Sequence, residues 1–267
     1  MARREDGSAG DADYGTIGAN YARYRQPEPR IAEQIHYALG RAKTVLNVGA
    51  GAVSYEPTDR EVTAVEPSAT MRAQRPATLP PAIDAMAEAL PFPDQFFDAS
   101  MAIFSVHQWS DLYLGLTEMR RVTRGPVVIV SCDPVALDRF WLHRYAPEVT
   151  DVEARRYPRI EYIRASLGGD VEIRPVLIPL NCRDGFNEAY YGRPEMLLEH
   201  GARLACSGWS FVPPAAVARF VLTLGADLAS GAWDRDFGDL RRKPNFEGPL
   251  RLIIARPFLG VRRKSRA

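Results

Sequence analysis

Lys43-Thr-Val-Leu-Asn-Val-Gly-Ala-Gly51 and Val62-Thr-Ala-Val-Glu66 are the stretches whose reading decides the fold. Each is a brief apolar run bounded by polar residues, the pattern of a strand covered on both faces in a parallel sheet, and the first runs into glycines that permit a tight turn. Glycine has no Cβ and tolerates positive φ, so the turn Asn47-Val-Gly49-Ala50-Gly51-Ala-Val53 lets backbone come close to a ligand. Glu66 ends the second strand, where a carboxylate can accept both hydroxyls of a ribose bound at the switch point of such a sheet.

Outward from this pair the alternation continues. Upstream, a helical pattern from Ile17 to Leu39 is broken near Pro27 and Pro29, which predicts two helices joined at a kink. Downstream, Pro67 and Ser68 open a helix containing Met71, Ile83 to Met86 forms a brief third strand, and Phe97 to Phe104 a fourth. A helix over Asp111 to Val122 and a strand over Gly125 to Ser131 complete the series. Strands alternating with helices imply a Rossmann-like, doubly wound α/β sheet, mostly parallel, with right-handed crossovers and helices on both faces.

Past Cys132 the pattern changes. Leu137 to Tyr145 and Arg155 to Leu167 look helical, while Val171 to Leu180 and Pro249 to Ala255 look like strands, a closing antiparallel pair that brings the sheet to seven. The intervening stretch, about Asp184 to Glu247, is expected to be a helical cap inserted over the acceptor site. The resulting division is a disordered leader (1–13), one domain (14–258) with capping helices (14–42) and a core (43–132), and a basic tail (259–267).

Composition narrows the function classes. A chain of 267 residues with 46% hydrophobic and 25% charged residues suits one globular domain. No apolar run reaches the ~20 residues of a spanning helix, and the leader MARREDGSAGDAD lacks a secretory apolar core. Three widely spaced cysteines, Cys132, Cys182 and Cys206, read as free thiols in a reducing compartment, so the expected location is cytoplasmic. A formal charge of +1 offers no general attraction for nucleic acid or membrane, and Arg262, Arg263, Lys264 and Arg266 read as a solvated end. His36, His107, His143 and His200 lack paired ligand spacing, so no metal site is expected. A nicotinamide dinucleotide would want a third glycine where Ser54 stands, and the continuation Tyr55-Glu56-Pro57 starts no long helix, which favours a ligand without phosphates.

Val45-Leu-Asn-Val-Gly-Ala-Gly, Val65-Glu-Pro-Ser, Ala87-Glu-Ala-Leu-Pro-Phe-Pro-Asp with Phe97-Asp, and Glu118-Met-Arg-Arg-Val, in this order, resemble the successive motifs of class I S-adenosylmethionine (AdoMet)-dependent methyltransferases. The nearest subgroup is the methyltransferase type 11 family, and the resemblance covers about Tyr21 to Ser131. It implies AdoMet as cofactor and assigns residues by position. Gly49, Ala50 and Gly51 would lie under the methionine and ribose, with Asn47 orienting their loop, Glu66 would hold the ribose hydroxyls, and Pro67 and Met71 would flank the adenine. Met86, Ala87 and Glu88 would frame its other side, with the segment Ile103 to Trp109, Phe104 and Ser105 included, beside the sulfonium. Tyr21 and Arg25 would close over the cofactor, Arg25 gripping the methionine carboxylate.

Three residues depart from the family pattern: Asn47 replaces an acidic residue, Val53 a third glycine, and Met86 an aspartate. The competing reading therefore keeps the fold and gives the pocket another task, a non-methylating reaction or binding. Methyl transfer from a sulfonium needs mainly positioning and desolvation, with a general base only for an acceptor that holds its proton. His107, just after the fourth strand, is the candidate base. His143 with its aromatic neighbours, Tyr190 to Arg193 and Cys206 to Trp209 are candidate pocket linings. No Asn-Pro-Pro-Tyr-like base clamp or basic stripe occurs, so the expected partner is a small-molecule methyl acceptor, bound by a monomer or homodimer.

Overall fold

The computed structural model describes residues 21–52 and 55–257, with the side chains of Tyr21 and Ala22 left out. The leader, the basic tail, Val53, Ser54 and the Tyr21 side chain lie outside the described residues. Among the described residues the first elements are a short helix α1 (Tyr21–Tyr24) and, after the expected kink, α2 (Pro29–Ala38). Pro29 sits in the first turn of α2, where a missing N–H costs nothing, and Glu28 caps it by accepting from Arg30 N at 3.2 Å.

Strands β1 (Thr44–Val48), β2 (Glu61–Val65), β3 (Ala99–Ile103) and β4 (Val127–Cys132) pair in parallel, and β5 (Asp170–Pro179) and β6 (Asn245–Arg256) close the sheet antiparallel. The order is β2-β1-β3-β4-β6-β5, six strands among the described residues. Of the seven expected strands, the third, Ile83 to Met86, is reduced to one parallel bridge between Ile83 and Val65. Pro80 and Pro81 precede it and cannot donate to a ladder, which limits pairing to the Ile83 N–H and C=O.

Short helices fill the connections: α3 (Ala69–Ala73), α4 (Leu112–Val122), α5 (Leu142–Tyr145), α6 (Pro147–Arg156) and α7 (Ile160–Leu167). The expected helix over Leu137 to Tyr145 is split into a 3₁₀ turn (Pro134–Arg139) and α5, and that over Arg155 to Leu167 is interrupted at Pro158, with α6 ending at Arg156 and α7 supplying Ile160 to Leu167. Between β5 and β6 lie α8 (His200–Leu204), α9 (Pro214–Ser230), α10 (Ala232–Phe237) and several 3₁₀ turns.

Two apolar cores sandwich the sheet. One packs Leu46, Val48, Ala102 and Ile129 against α4 and α7. The other packs Val45, Met101, Val128 and Val130 against α2 and the segments after β5, so the carboxyl ends of β1, β3 and β4 are roofed by late-chain residues. Of the described residues, no single helix is long and apolar enough to cross a membrane.

Candidate active site

The glycine turn after β1 is built by its neighbours. Gly49 and Gly51 have φ of 71° and 60°, and the Gly49 and Ala50 N–H groups both donate to the Val65 carbonyl, at 2.9 and 3.0 Å. A Cβ at Gly49 would stand 2.6 Å from the Ser105 Cβ, so glycine is required there by β3's own continuation rather than by a ligand. Ser105 is locked in place, its hydroxyl donating to the Val48 carbonyl at 2.9 Å. Gly51 differs: a Cβ there would meet only the Met71 methyl at 3.6 Å.

Glu66 bridges this turn to the next helix. Its Oε2 accepts from Gly51 N at 2.8 Å and its Oε1 from Ser68 N at 2.9 Å, while Ser68 Oγ caps α3 by accepting from Met71 N. Burial raises the Glu66 carboxyl above its ordinary pKa, against the pull of these amides and of Arg72 and Arg75. Two accepted bonds leave half of a carboxylate's roughly four lone-pair sites available.

Beneath the turn lies a network that the sequence did not reveal. The Asn47 amide donates to Glu56 Oε1 at 2.8 Å, and Arg75 Nη2 reaches both Glu56 oxygens at 2.9 Å. The Arg75 and Glu56 side chains are 3% and 1% exposed, and Arg75 also donates to the Gly51 carbonyl at 3.2 Å. This explains Asn47: an aspartate would oppose the Glu56 carboxylate, whereas an amide donates to it. The only early signal was the missing long helix after Gly51, whose place this loop takes.

Of the residues that the sequence assigns to the adenine, Met71 and Ala87 are buried and Pro67 and Met86 half-buried. Glu88 is occupied otherwise: one carboxylate oxygen accepts from the Ser110 hydroxyl at 2.8 Å and Asp111 N at 2.9 Å, fixing the loop before α4.

Three distant segments meet at Asp184, which is 2% exposed. Its Oδ1 accepts from Arg25 Nε at 2.5 Å, and its Oδ2 from Arg25 Nη2 at 3.4 Å and from the Tyr55 hydroxyl at 2.7 Å. The bidentate fork read as a grip on a methionine carboxylate is thus engaged by Asp184, with the guanidinium 5.5 Å from the Phe104 ring centroid. Phe104 itself has φ of 55°, a sparsely populated conformation for a bulky residue, held by packing against Tyr55 and Phe186.

Beside this junction is a cavity of about 60 Å³ at the ends of β3 and β4, lined by Arg25, Phe104, His107, Glu153, Tyr157 and Glu188 among others. His107 packs on Tyr157 with ring centroids 4.3 Å apart. Asn187, also in the lining, accepts from the Trp209 indole at 2.9 Å. Cys132 and Cys206 complete the wall; burial pushes both thiols up, so neither supplies a thiolate at neutral pH. Burial also pushes the Glu188 carboxyl up to about 7, Glu153 adding to the rise and Arg25 opposing it.

The structure brings His107, Phe104 and Cys206 of the sequence candidates to this cavity, but not His143, whose Nδ1 is 2.7 Å from the Thr150 hydroxyl, nor Trp141 and Tyr145, which are buried in the core. Glu153, Asn187 and Glu188 escaped sequence reasoning. The available signal was a carboxylate set inside the aromatic run Phe186-Asn-Glu-Ala-Tyr-Tyr191, which burial makes unusual.

Comparison with known proteins agrees with this arrangement. The methyltransferase domain family of type 11 matches residues 46–130. A protein assigned as a methyltransferase from an antibiotic biosynthesis pathway of Anabaena variabilis superposes with a TM-score of 0.80 at 28% identity, over 87% of this chain and 98% of that one. The YcgJ protein of Bacillus subtilis gives 0.51 at 17% identity, over 87% and 99%. No curated protein matches. Residues 46–130, which hold the glycine turn and Glu66, thus match a methyltransferase domain of type 11, and the fold is that of an AdoMet-dependent methyltransferase.

Proposed function

We propose that the enzyme methylates a small molecule whose acceptor group enters the cavity between β3, β4 and the segments after β5. The observation that carries this reading is the cavity itself: at about 60 Å³ it holds only a few water-sized groups of about 10–15 Å³ each, room for a small acceptor moiety recessed beneath the roof. The Anabaena variabilis relative, with its antibiotic pathway, supports the same class.

The residues of the glycine turn fit AdoMet: Glu66 retains acceptor capacity after bonding two amides, and the open face of Gly51 adjoins Met71. We assign Glu66 to the ribose hydroxyls, Gly49 to Gly51 to the methionine and ribose, and Pro67, Met71, Met86 and Ala87 to the adenine. AdoMet supplies an activated methyl group on sulfur. The chain's own contribution is positioning, exclusion of water by the Asp184 junction, and proton acceptance by His107 from an acceptor that carries one. Three buried thiols without a disulfide accord with a cytoplasmic setting.

Calorimetric titration of the full chain with AdoMet tests the cofactor half, and incubation with methyl-labelled AdoMet and pooled small metabolites, RNA or protein tests the acceptor half. Binding with label passing to the small-molecule pool is expected. No heat at millimolar AdoMet, or label confined to RNA or protein, would overturn the reading.

A further inference from the structure

The cavity's charges do not balance among the described residues, and the imbalance has a definite sign. Arg25 is neutralised by Asp184 at 2.5 Å, and Arg156 lies 3.6 Å from Glu153. Glu188 is 7% exposed and lines the cavity, yet among the described residues no cation pairs with it, and its carboxylate accepts only its own backbone N–H. A carboxylate buried without a counter-charge is costly unless a ligand brings one. The remaining walls suit a cation too, since Phe104, Tyr157 and Phe186 present aromatic rings to the same space. Phe104 already has one guanidinium, that of Arg25, within 5.5 Å of its ring centroid.

From this geometry we infer that the acceptor is an amine bound as its ammonium ion, recognised by the Glu188 carboxylate within the aromatic wall of the cavity. The inference rests on the proposed methyltransferase reading and names its substrate class. Glu188 is a specificity-determining residue, and His107, on the same cavity, takes the proton. The ammonium gives one N–H proton to the His107 imidazole, and the freed lone pair forms the new C–N bond. The C–S bond breaks with its electrons left on sulfur, giving S-adenosylhomocysteine and a methylated ammonium. An alcohol acceptor would leave Glu188 unpaired, and a carboxylate acceptor would be repelled by it.

Ligand ionisation and Glu188 ionisation make binding pH-dependent. The groups facing Glu188 are Glu153 from α6, Arg25 from the segment after α1, His107 after β3, Cys132 ending β4, Tyr157 after α6 and Cys206 after α8. Both thiols and the Tyr157 phenol are shifted upward by burial and stay neutral below pH 8, leaving Glu188, pushed up to about 7, to titrate near neutrality.

The test uses the full chain saturated with S-adenosylhomocysteine and three matched probes, propylamine, propanol and propionate, followed by calorimetry at pH 6, 7 and 8. Propylamine is expected to bind about tenfold more tightly than propanol at pH 8, a difference of about 1.4 kcal/mol. The preference should shrink toward pH 6, propionate should not bind, and Glu188→Gln should abolish the preference while leaving S-adenosylhomocysteine affinity unchanged. Equal binding of propanol, binding of propionate, or a preference that survives Glu188→Gln overturns the inference. Should Glu188→Gln fail to fold, the probe and pH series on the unaltered chain decides alone. Failure of S-adenosylhomocysteine to bind removes the methyltransferase reading and this inference with it, whereas cofactor binding without amine preference removes only the inference.

Discussion

The glycine turn and the acceptor cavity lie side by side at one end of the sheet, but they are built on opposite electrostatic plans. Under the turn, every buried charge has a partner from the chain: Glu56 has Arg75, and Glu66 has two backbone amides. In the cavity, Glu188 has only its own backbone N–H among the described residues. A region that must hold one fixed shape for a common cofactor satisfies itself internally. On the reading proposed above, the region that recognises the acceptor leaves a group for the acceptor to satisfy.

The sharpest way to break this contrast is to unbalance the turn. Arg75→Met strands Glu56 in the interior and is expected to cost about 3–5 kcal/mol of unfolding free energy, read by urea denaturation, together with weakened AdoMet binding. Next comes Glu188, whose folded pKa of about 7 lies above the carboxyl's ordinary 4.5. The folded chain holds a proton that the unfolded chain has released, so the stability linked to it is full below about pH 4.5 and is lost as pH rises through 7. The loss should approach about 3 kcal/mol, and Glu188→Gln should flatten the profile, whereas a flat profile in the unaltered chain would place the counter-charge inside the protein after all. His107→Ala is expected to lower kcat about 100-fold with little change in AdoMet affinity, and a rate that does not move relieves His107 of its role as proton acceptor. Gly49→Ala drives a methyl into Ser105 and should cost about 1–3 kcal/mol of unfolding free energy, read by thermal unfolding. The smallest effect is expected for Tyr55→Phe, about 1 kcal/mol from one lost hydrogen bond to Asp184, measured by thermal unfolding.

The same contrast explains what could be read in advance. The turn is local: Gly49, Gly51 and Glu66 declare themselves by sitting at strand ends, and the parallel order follows from alternation. The third strand failed because Pro80 and Pro81 remove donors, a feature visible in the sequence but outweighed by periodicity. The cavity is non-local. Glu153, Asn187 and Glu188 come from the segments past Cys132, where no motif indicates which side chains turn inward, and Arg25 finds its partner 159 residues away. Asn47 was noticed as a departure, but its reason, Glu56, emerges only when the loop folds back.

Asp184 carries a consequence for the order in which the molecule assembles. Its bonds to Arg25 and Tyr55 close loops of 159 and 129 residues, among the longest in the chain, and such closures are entropically the last to be rewarded. The parallel strands β1 to β4 and their glycine turn, whose pairings are far shorter in sequence, are therefore expected to form before the roof settles, and the roof to open first under mild denaturant. In native-state hydrogen exchange, the amides of residues 183–191 would exchange through sub-global openings while β1, β3 and β4 wait for global unfolding.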